Sequence, residues 1–171
     1  MRRGEREVRD RQRLLEVLEA CDCLRLAMAD VDAPYIVPVN FGWEEREGQL
    51  WLYFHGAREG RKAELLGRNP HVGFEADCAH ELVEGAVACR YSYRYASVIG
   101  VGTVHFAESD DEKRCGLSRI MAHYAPGRVF EFPEAALARV GVGCLCVERI
   151  SCKEHASSAA VGASPGSGSR V

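Results

Sequence analysis

The chain has 171 residues, of which 47% are hydrophobic and 27% are charged, as is typical of one soluble globular domain. The net charge of −3 argues against general nucleic-acid binding, which needs a basic surface. No apolar run approaches the ~20 residues that span a bilayer, and the chain does not start with the apolar segment of a secretory signal. We therefore expect a cytoplasmic protein that binds neither nucleic acid nor membrane.

The last sixteen residues, ASSAAVGASPGSGSRV, differ in composition from the rest of the chain. They are rich in Ser, Gly and Ala, and such a segment cannot bury enough apolar surface to offset its ordering entropy. The sequence therefore predicts one folded domain over residues 1–155 and a disordered tail over residues 156–171.

In chain order, the first element is a helix over residues 11–20, where Asp10 can cap the N-terminus and apolar residues recur at helical spacing. Strand-like runs follow at residues 23–29, 35–43, 50–55 and 72–77. Pro38 lies within the second run, and it restricts that run to a sheet edge, a bulge or a bend. A short helix that ends before Pro70 separates the last two runs.

Residues 91–106 form the longest strand candidate, in which Gly100 and Gly102 share one face and leave room for a ligand or another backbone. A helix begins at Ser109 with a capping box, a short helix opens at Pro133, and the last strand covers residues 140–150. Many short strands with few helices predict an α+β fold around a mainly antiparallel sheet or small barrel. A dinucleotide-binding fingerprint is absent from the sequence.

The eight cysteines include no C-x-x-C pair. Cys144, Cys146, Cys152 and His155 could form a zinc site, although zinc sites usually draw on more closely spaced cysteine pairs. Reduced cysteines also serve as small buried apolar residues in a reducing compartment. The spacing favours this second interpretation, and we predict no metal site.

The segment from residue 54 to residue 66 leaves a strand, turns through glycines and enters a helix with Arg61 and Lys62 in its first turn. Cations there oppose the positive end of the helix macrodipole, whereas the helix after Ser109 begins with acidic residues, as the dipole favours. A bound phosphate would resolve the conflict, because free N–H groups and two cations form an anion site. The alternative is a solvated basic turn, partly offset by Glu59 and Glu64.

Two polar residues lie near this turn. His55 could stack on a planar ligand or donate a proton, or it could be a half-buried histidine with a backbone partner. Asn40 could offer its amide to a heteroaromatic edge, or it could satisfy its own bulge. The motifs of α/β-hydrolases, zinc metalloproteases and P-loop enzymes are absent from the sequence.

Three segments together carry a resemblance: PYIVPVNFGW (34–43), LWLYFHGAREGRKAELLGRNPHVGFEAD (50–77) and YRYASVIGVGTVHFAES (93–109). They resemble the pyridoxamine 5′-phosphate oxidase-like, FMN-binding split-barrel proteins, and within them the nitroimidazole-resistance (Nim) group. The similarity runs from about residue 5 to residue 154. It implies a split β-barrel with a few peripheral helices, assembled as a homodimer with FMN at the subunit interface.

The resemblance also implies roles for individual residues. The phosphate-binding basic pair falls on Arg61 and Lys62, and a polar flavin contact falls near Ser97. His55 matches a histidine that the Nim group places beside its cofactor, and it is our candidate for a catalytic proton donor. The strand whose backbone lies along the flavin ring corresponds to Val37, Pro38, Val39 and Asn40.

Two features depart from the oxidase branch of the family. Gly60 stands where that branch often has Ser, and the ending CLCVERISCKEH lacks its Arg-x-x-Arg-x-His-like pattern, which argues against vitamin B6 oxidation. We expect an FMN-dependent oxidoreductase that takes electrons from a nicotinamide cofactor or another donor and passes them to a small electron-poor acceptor, such as a nitroaromatic. The alternatives are a non-catalytic flavin, haem or deazaflavin binding or sensing protein on the same barrel and, third, a zinc-binding accessory protein.

Overall fold

The computed structural model describes residues 4–155, so the predicted tail over 156–171 lies outside the described residues. Two 3₁₀ turns, Gly4–Arg6 and Ala88–Arg90, accompany the regular elements. These elements are β1 (Glu7–Val8), α1 (Arg11–Ala20), β2 (Leu24–Met28), β3 (Tyr35–Val39), β4 (Phe41–Arg46), β5 (Gln49–Ala57), α2 (Arg61–Arg68), β6 (His71–Val83), β7 (Ser92–Phe106), α3 (Asp110–Tyr124), α4 (Glu134–Leu137) and β8 (Val140–His155).

The strands form a single curled sheet in the order β3-β2-β6-β7-β8-β5-β4, in which every pair is antiparallel, and β1 adds to β8. β3 and β4 lie at opposite ends of this order, yet only Asn40 separates them in the sequence. The sheet must therefore curl until its two ends meet at Asn40. Within residues 4–155, no strand pairing joins β3 to β4, so the sheet stays open there. The predicted α+β class with a mainly antiparallel sheet is confirmed.

The predicted strand over residues 35–43 is wrong as a single element, because Asn40 divides it into β3 and β4. β3 lies at the end of the strand order, where proline is tolerated because an edge strand pairs on one side only. β6 and β8 are longer than expected, since each extends alongside β7 beyond its own apolar run.

The two main helices start as the sequence predicts. The side chain of Asp10 accepts a hydrogen bond from the Gln12 N–H, and Ser109 and Glu112 form both bonds of a capping box. α1 packs on the larger core and buries Leu14, Val17 and Leu18.

α3 lies directly against β4. A Cβ atom on Gly42 would lie 2.3 Å from the carbonyl carbon and oxygen of Arg119. Only glycine permits this approach, which places α3 over a second, smaller core cluster around Tyr53, Ile120 and Val142.

The two glycines of β7 allow the chain's own atoms to approach closely. A Cβ on Gly100 would meet the Phe74 ring at 2.3 Å, and one on Gly102 would lie 2.1 Å from the Cys146 carbonyl oxygen. The space predicted for a backbone or a ligand is thus filled by neighbouring strands of the same chain.

Between residues 4 and 155, no helix has the length and apolar character needed to cross a bilayer.

Candidate functional site

A groove of about 310 Å³ runs along the end of β3. Three elements line it: β3 with the following residue, the C-terminal part of β5, and the first turn of α2. It brings together six of the eight predicted site residues, namely Val37, Pro38, Val39, Asn40, His55 and Lys62. Asp22 and Cys23, which sequence reasoning missed, complete the lining. They lie directly before β2, the hydrogen-bonded neighbour of β3, and no motif marks them.

Lys62 extends from the start of α2 toward this groove. Its Nζ donates a hydrogen bond to the His55 carbonyl oxygen at 3.3 Å and lies 5.1 Å from the centre of the Phe54 ring. A Cβ on Gly56 would come within 2.5 Å of Nζ, so the lysine occupies the space beside Gly56 that a side chain there would fill. Among residues 4–155, no carboxylate forms an ion pair with it. Partial burial lowers the pKa of Lys62 because it disfavours the charged form.

His55 lies at the mouth of the groove with an exposed side chain. Partial loss of solvent, followed by the positive charge of Lys62, lowers its pKa. The ring is therefore neutral near pH 7, with one nitrogen able to donate and the other able to accept. Within the described part of the chain its ring nitrogens have no hydrogen-bond partner, so both are open to a ligand.

The first turn of α2 presents backbone N–H groups without a side-chain cap. Gly60 is the N-cap residue, and its φ of 108° suits glycine far better than any other residue. The absence of a serine here therefore coincides with a backbone conformation that serine would adopt only with strain. Because the N–H groups at a helix start lack partners within the helix, they can bind an anion.

Arg61 points away from Lys62. Its Nε and Nη2 donate to Oδ2 of Asp30 at 3.0 Å and 2.5 Å, and its guanidinium lies 4.9 Å from the centre of the Tyr35 ring. Arg61 does not line the groove, so the two cations predicted to act as a pair diverge. The hydrogen bonds from Arg61, followed by that from the Val31 N–H, lower the pKa of Asp30.

Ser97 also lies apart from the groove. It stands on β7 between Asp77 of β6 and Lys153 of β8, and two strands separate β7 from β3. Its side chain is on the outer face of the sheet, opposite the core face that Ala96 and Val98 occupy. Pro38 lies on the same outer face, next to Arg25 of β2.

The C-terminal cysteines do not form a cluster. Cys152 lies in the larger core and Cys144 in the smaller one, and burial raises the pKa of each thiol to about 11. His155 contacts the Tyr93 carbonyl oxygen at 2.7 Å. Among residues 4–155, no group of three His, Cys, Asp or Glu side chains is arranged to hold a metal ion. Buried, protonated cysteines fit these positions.

Comparison with known proteins agrees with this architecture. A search of the curated proteins found no match. The chain is similar in structure to a candidate 5-nitroimidazole antibiotic resistance protein from Bacteroides thetaiotaomicron, with 34% identity, a TM-score of 0.75 and 86% of each chain covered.

Two more distant relatives share the fold. The flavocytochrome Anf3 from Azotobacter vinelandii has 20% identity and a TM-score of 0.76, with 92% of this chain and 72% of that chain covered. A FAD and heme binding protein from Mycobacterium smegmatis has 23% identity and a TM-score of 0.75, with coverage of 87% and 73%.

The curled antiparallel sheet with a groove at its open edge places this chain among the open, barrel-like antiparallel folds. The family model for pyridoxamine 5'-phosphate oxidase matches residues 10–154. The chain belongs to this family, as the sequence resemblance predicted.

Proposed function

We propose that this protein is an FMN-binding oxidoreductase that passes electrons to a small electron-poor acceptor, such as a nitroaromatic compound. The observation that carries the proposal is Lys62, a partly buried cation without a carboxylate partner in the described chain, at the uncapped start of α2. This donor set suits a phosphate group. The similarity to the candidate nitroimidazole resistance protein supports the choice of acceptor.

In this proposal the chain's residues have separate tasks. Lys62 and the first N–H groups of α2 bind the phosphate. The edge of β3 has a neighbouring strand on one side only, so residues 37–40 keep backbone groups free to hydrogen-bond a heteroaromatic ring. A bound flavin supplies the electron transfer, and the protein supplies its position and surroundings.

His55 is the proposed proton donor. It lines the groove, and its protonated ring can give a proton to an acceptor that has gained electrons, which leaves the ring neutral. Partial burial, followed by the charge of Lys62, lowers the pKa of His55, so the protonated ring is a stronger acid and the neutral ring left behind takes its next proton from solvent.

We further propose that two copies of the chain pair through the outer face of the sheet and enclose the cofactor. Ile36 and Ile99 are 60% and 51% exposed on this face, and Ser97 lies next to Ile99 on β7. Exposed isoleucines beside ion-paired side chains, here Arg25 with Glu75 and Asp77, are compatible with an interface between subunits. In a homodimer, Ser97 would contribute to a site that β3 and α2 begin. The cytoplasmic location stays a prediction.

The test is the visible absorption spectrum of the purified protein, followed by FMN titration of the apoprotein. We expect flavin bands, loss of those bands on addition of NADH or NADPH, and their return when a nitroaromatic is added. A Soret band would indicate haem instead, and flavin that nicotinamide cofactors do not reduce would indicate storage or sensing. A colourless protein that does not bind FMN would contradict the proposal.

A further inference from the structure

The ion pair between Arg61 and Asp30 joins the start of α2 to the turn between β2 and β3. Both oxygens of Asp30 are used: Oδ2 accepts from Arg61, and Oδ1 accepts from the Val31 N–H at 2.9 Å. The Asp30 side chain is 12% exposed, whereas that of Arg61 is 63% exposed. The carboxylate is therefore fixed, and the guanidinium is the partner that is free to move.

Arg61 has no second ion pair among residues 4–155, and only one edge of its guanidinium is occupied. It lies one residue before Lys62, whose ammonium has no anionic partner in the described chain. A dianionic phosphate at the start of α2 would offer Arg61 two oxygens and a higher charge than Asp30 provides. Exposed ion pairs are weak, so exchange of one partner for the other is accessible.

We infer that Asp30 competes with the cofactor phosphate for Arg61 and thereby limits the affinity for a phosphate monoester. This inference rests on the proposed function, because it concerns the same cofactor. Without phosphate, Asp30 holds Arg61 away from Lys62. With phosphate bound, Arg61 leaves Asp30 and the two cations converge. Asp30 is thus an affinity-determining residue that does not itself touch the cofactor.

The test compares FMN with riboflavin, which lacks the phosphate, in the full-length protein. Asp30→Asn keeps the shape and the acceptor for the Val31 N–H but removes the charge. The matched control is Glu64→Gln, which removes a charge from the first turn of α2 where no ion pair to Arg61 exists. We expect Asp30→Asn to tighten FMN binding by about two- to fivefold and to leave riboflavin unchanged. Glu64→Gln should have a smaller effect.

The same substitution in an Arg61→Ala background should no longer change FMN affinity, since the competition requires Arg61. In the unsubstituted protein, FMN but not riboflavin should shift the NMR resonance of the Arg61 Nε–H group. This measurement does not depend on how the variants fold.

The possible failures are distinguishable. If the unsubstituted protein binds FMN but Asp30→Asn binds it equally or more weakly, the inference is overturned and the proposed function stands. Equal tightening by Glu64→Gln, or an Arg61 resonance that FMN leaves in place, also overturns it. If no flavin binds to the unsubstituted protein, the proposed function and this inference are overturned together.

Discussion

Substitution of Lys62 by methionine tests the proposed cofactor site most directly. Methionine has a similar length and can keep the contact with the Phe54 ring, but it carries no charge. A charge-assisted hydrogen bond to a phosphate contributes about 1.5–3 kcal/mol. Because every 1.4 kcal/mol corresponds to about a tenfold change, Lys62→Met should weaken FMN binding by about 10- to 150-fold.

Folding should be nearly unaffected by this change. The Lys62 ammonium is partly desolvated, as its lowered pKa indicates, so its charge opposes folding. It also gains a cation–π contact and one hydrogen bond to the His55 carbonyl oxygen. These contributions oppose each other, and we expect the free energy of unfolding to change by less than about 1 kcal/mol.

The assay is a titration of flavin fluorescence with FMN and with riboflavin, alongside urea unfolding. Arg68→Met is the matched control, because Arg68 lies in the last turn of the same helix and its loss removes the same charge. We expect the loss of affinity to be specific to Lys62 and to FMN. An equal loss for riboflavin, an equal loss in Arg68→Met, or unchanged FMN affinity would refute the assignment of Lys62 to the phosphate.

Four further predictions concern the groove and the fold. Lys62→Met should raise the pKa of His55, measured by NMR titration, although burial should still hold it below its ordinary value near about 6.5. Gly42→Ala should destabilise the protein by about 1–3 kcal/mol in urea unfolding, since its Cβ would collide with the α3 backbone. Gly67→Ala, where nothing lies within 4 Å, should instead stabilise it by up to about 1 kcal/mol. Ser109→Ala should cost about 1 kcal/mol through loss of the cap, and unchanged thermal stability would contradict this.

The helix starts of this fold could be predicted from the sequence because the residues that determine them are neighbours in the chain. The caps at Asp10 and Ser109 fix the helix starts within a few residues of chain. The sequence could not predict that Asn40 divides residues 35–43 into two strands, since this division depends on how the sheet curls to bring β3 and β4 together. The lengths of β6 and β8 depend on their pairing with β7, which is remote in the sequence.

The candidate site shows the same contrast. The cations at the start of α2 could be found because they oppose the helix dipole. The sequence could not predict that Asp30 binds Arg61, since Asp30 lies 31 positions away and no pattern links the two residues. Adjacent residues of a helix also point about 100° apart, so two neighbouring cations do not have to face the same ligand. The structure therefore divides one predicted basic pair into a lysine that faces the groove and an arginine that another residue holds.

The position of the groove follows from the way the sheet is left open. An exposed strand edge usually invites unwanted pairing, and proteins protect such edges with proline or with charged residues. β3 carries Pro38 on its edge, and Lys62 stands beside it in the groove. The features that prevent another strand from pairing here also leave backbone groups, a cation and a helix start together at one place. A planar ligand with an anionic tail can use all three, whereas a pairing strand can use only the backbone. The opening in the sheet thus favours a cofactor of this shape and charge over the strand that would close it.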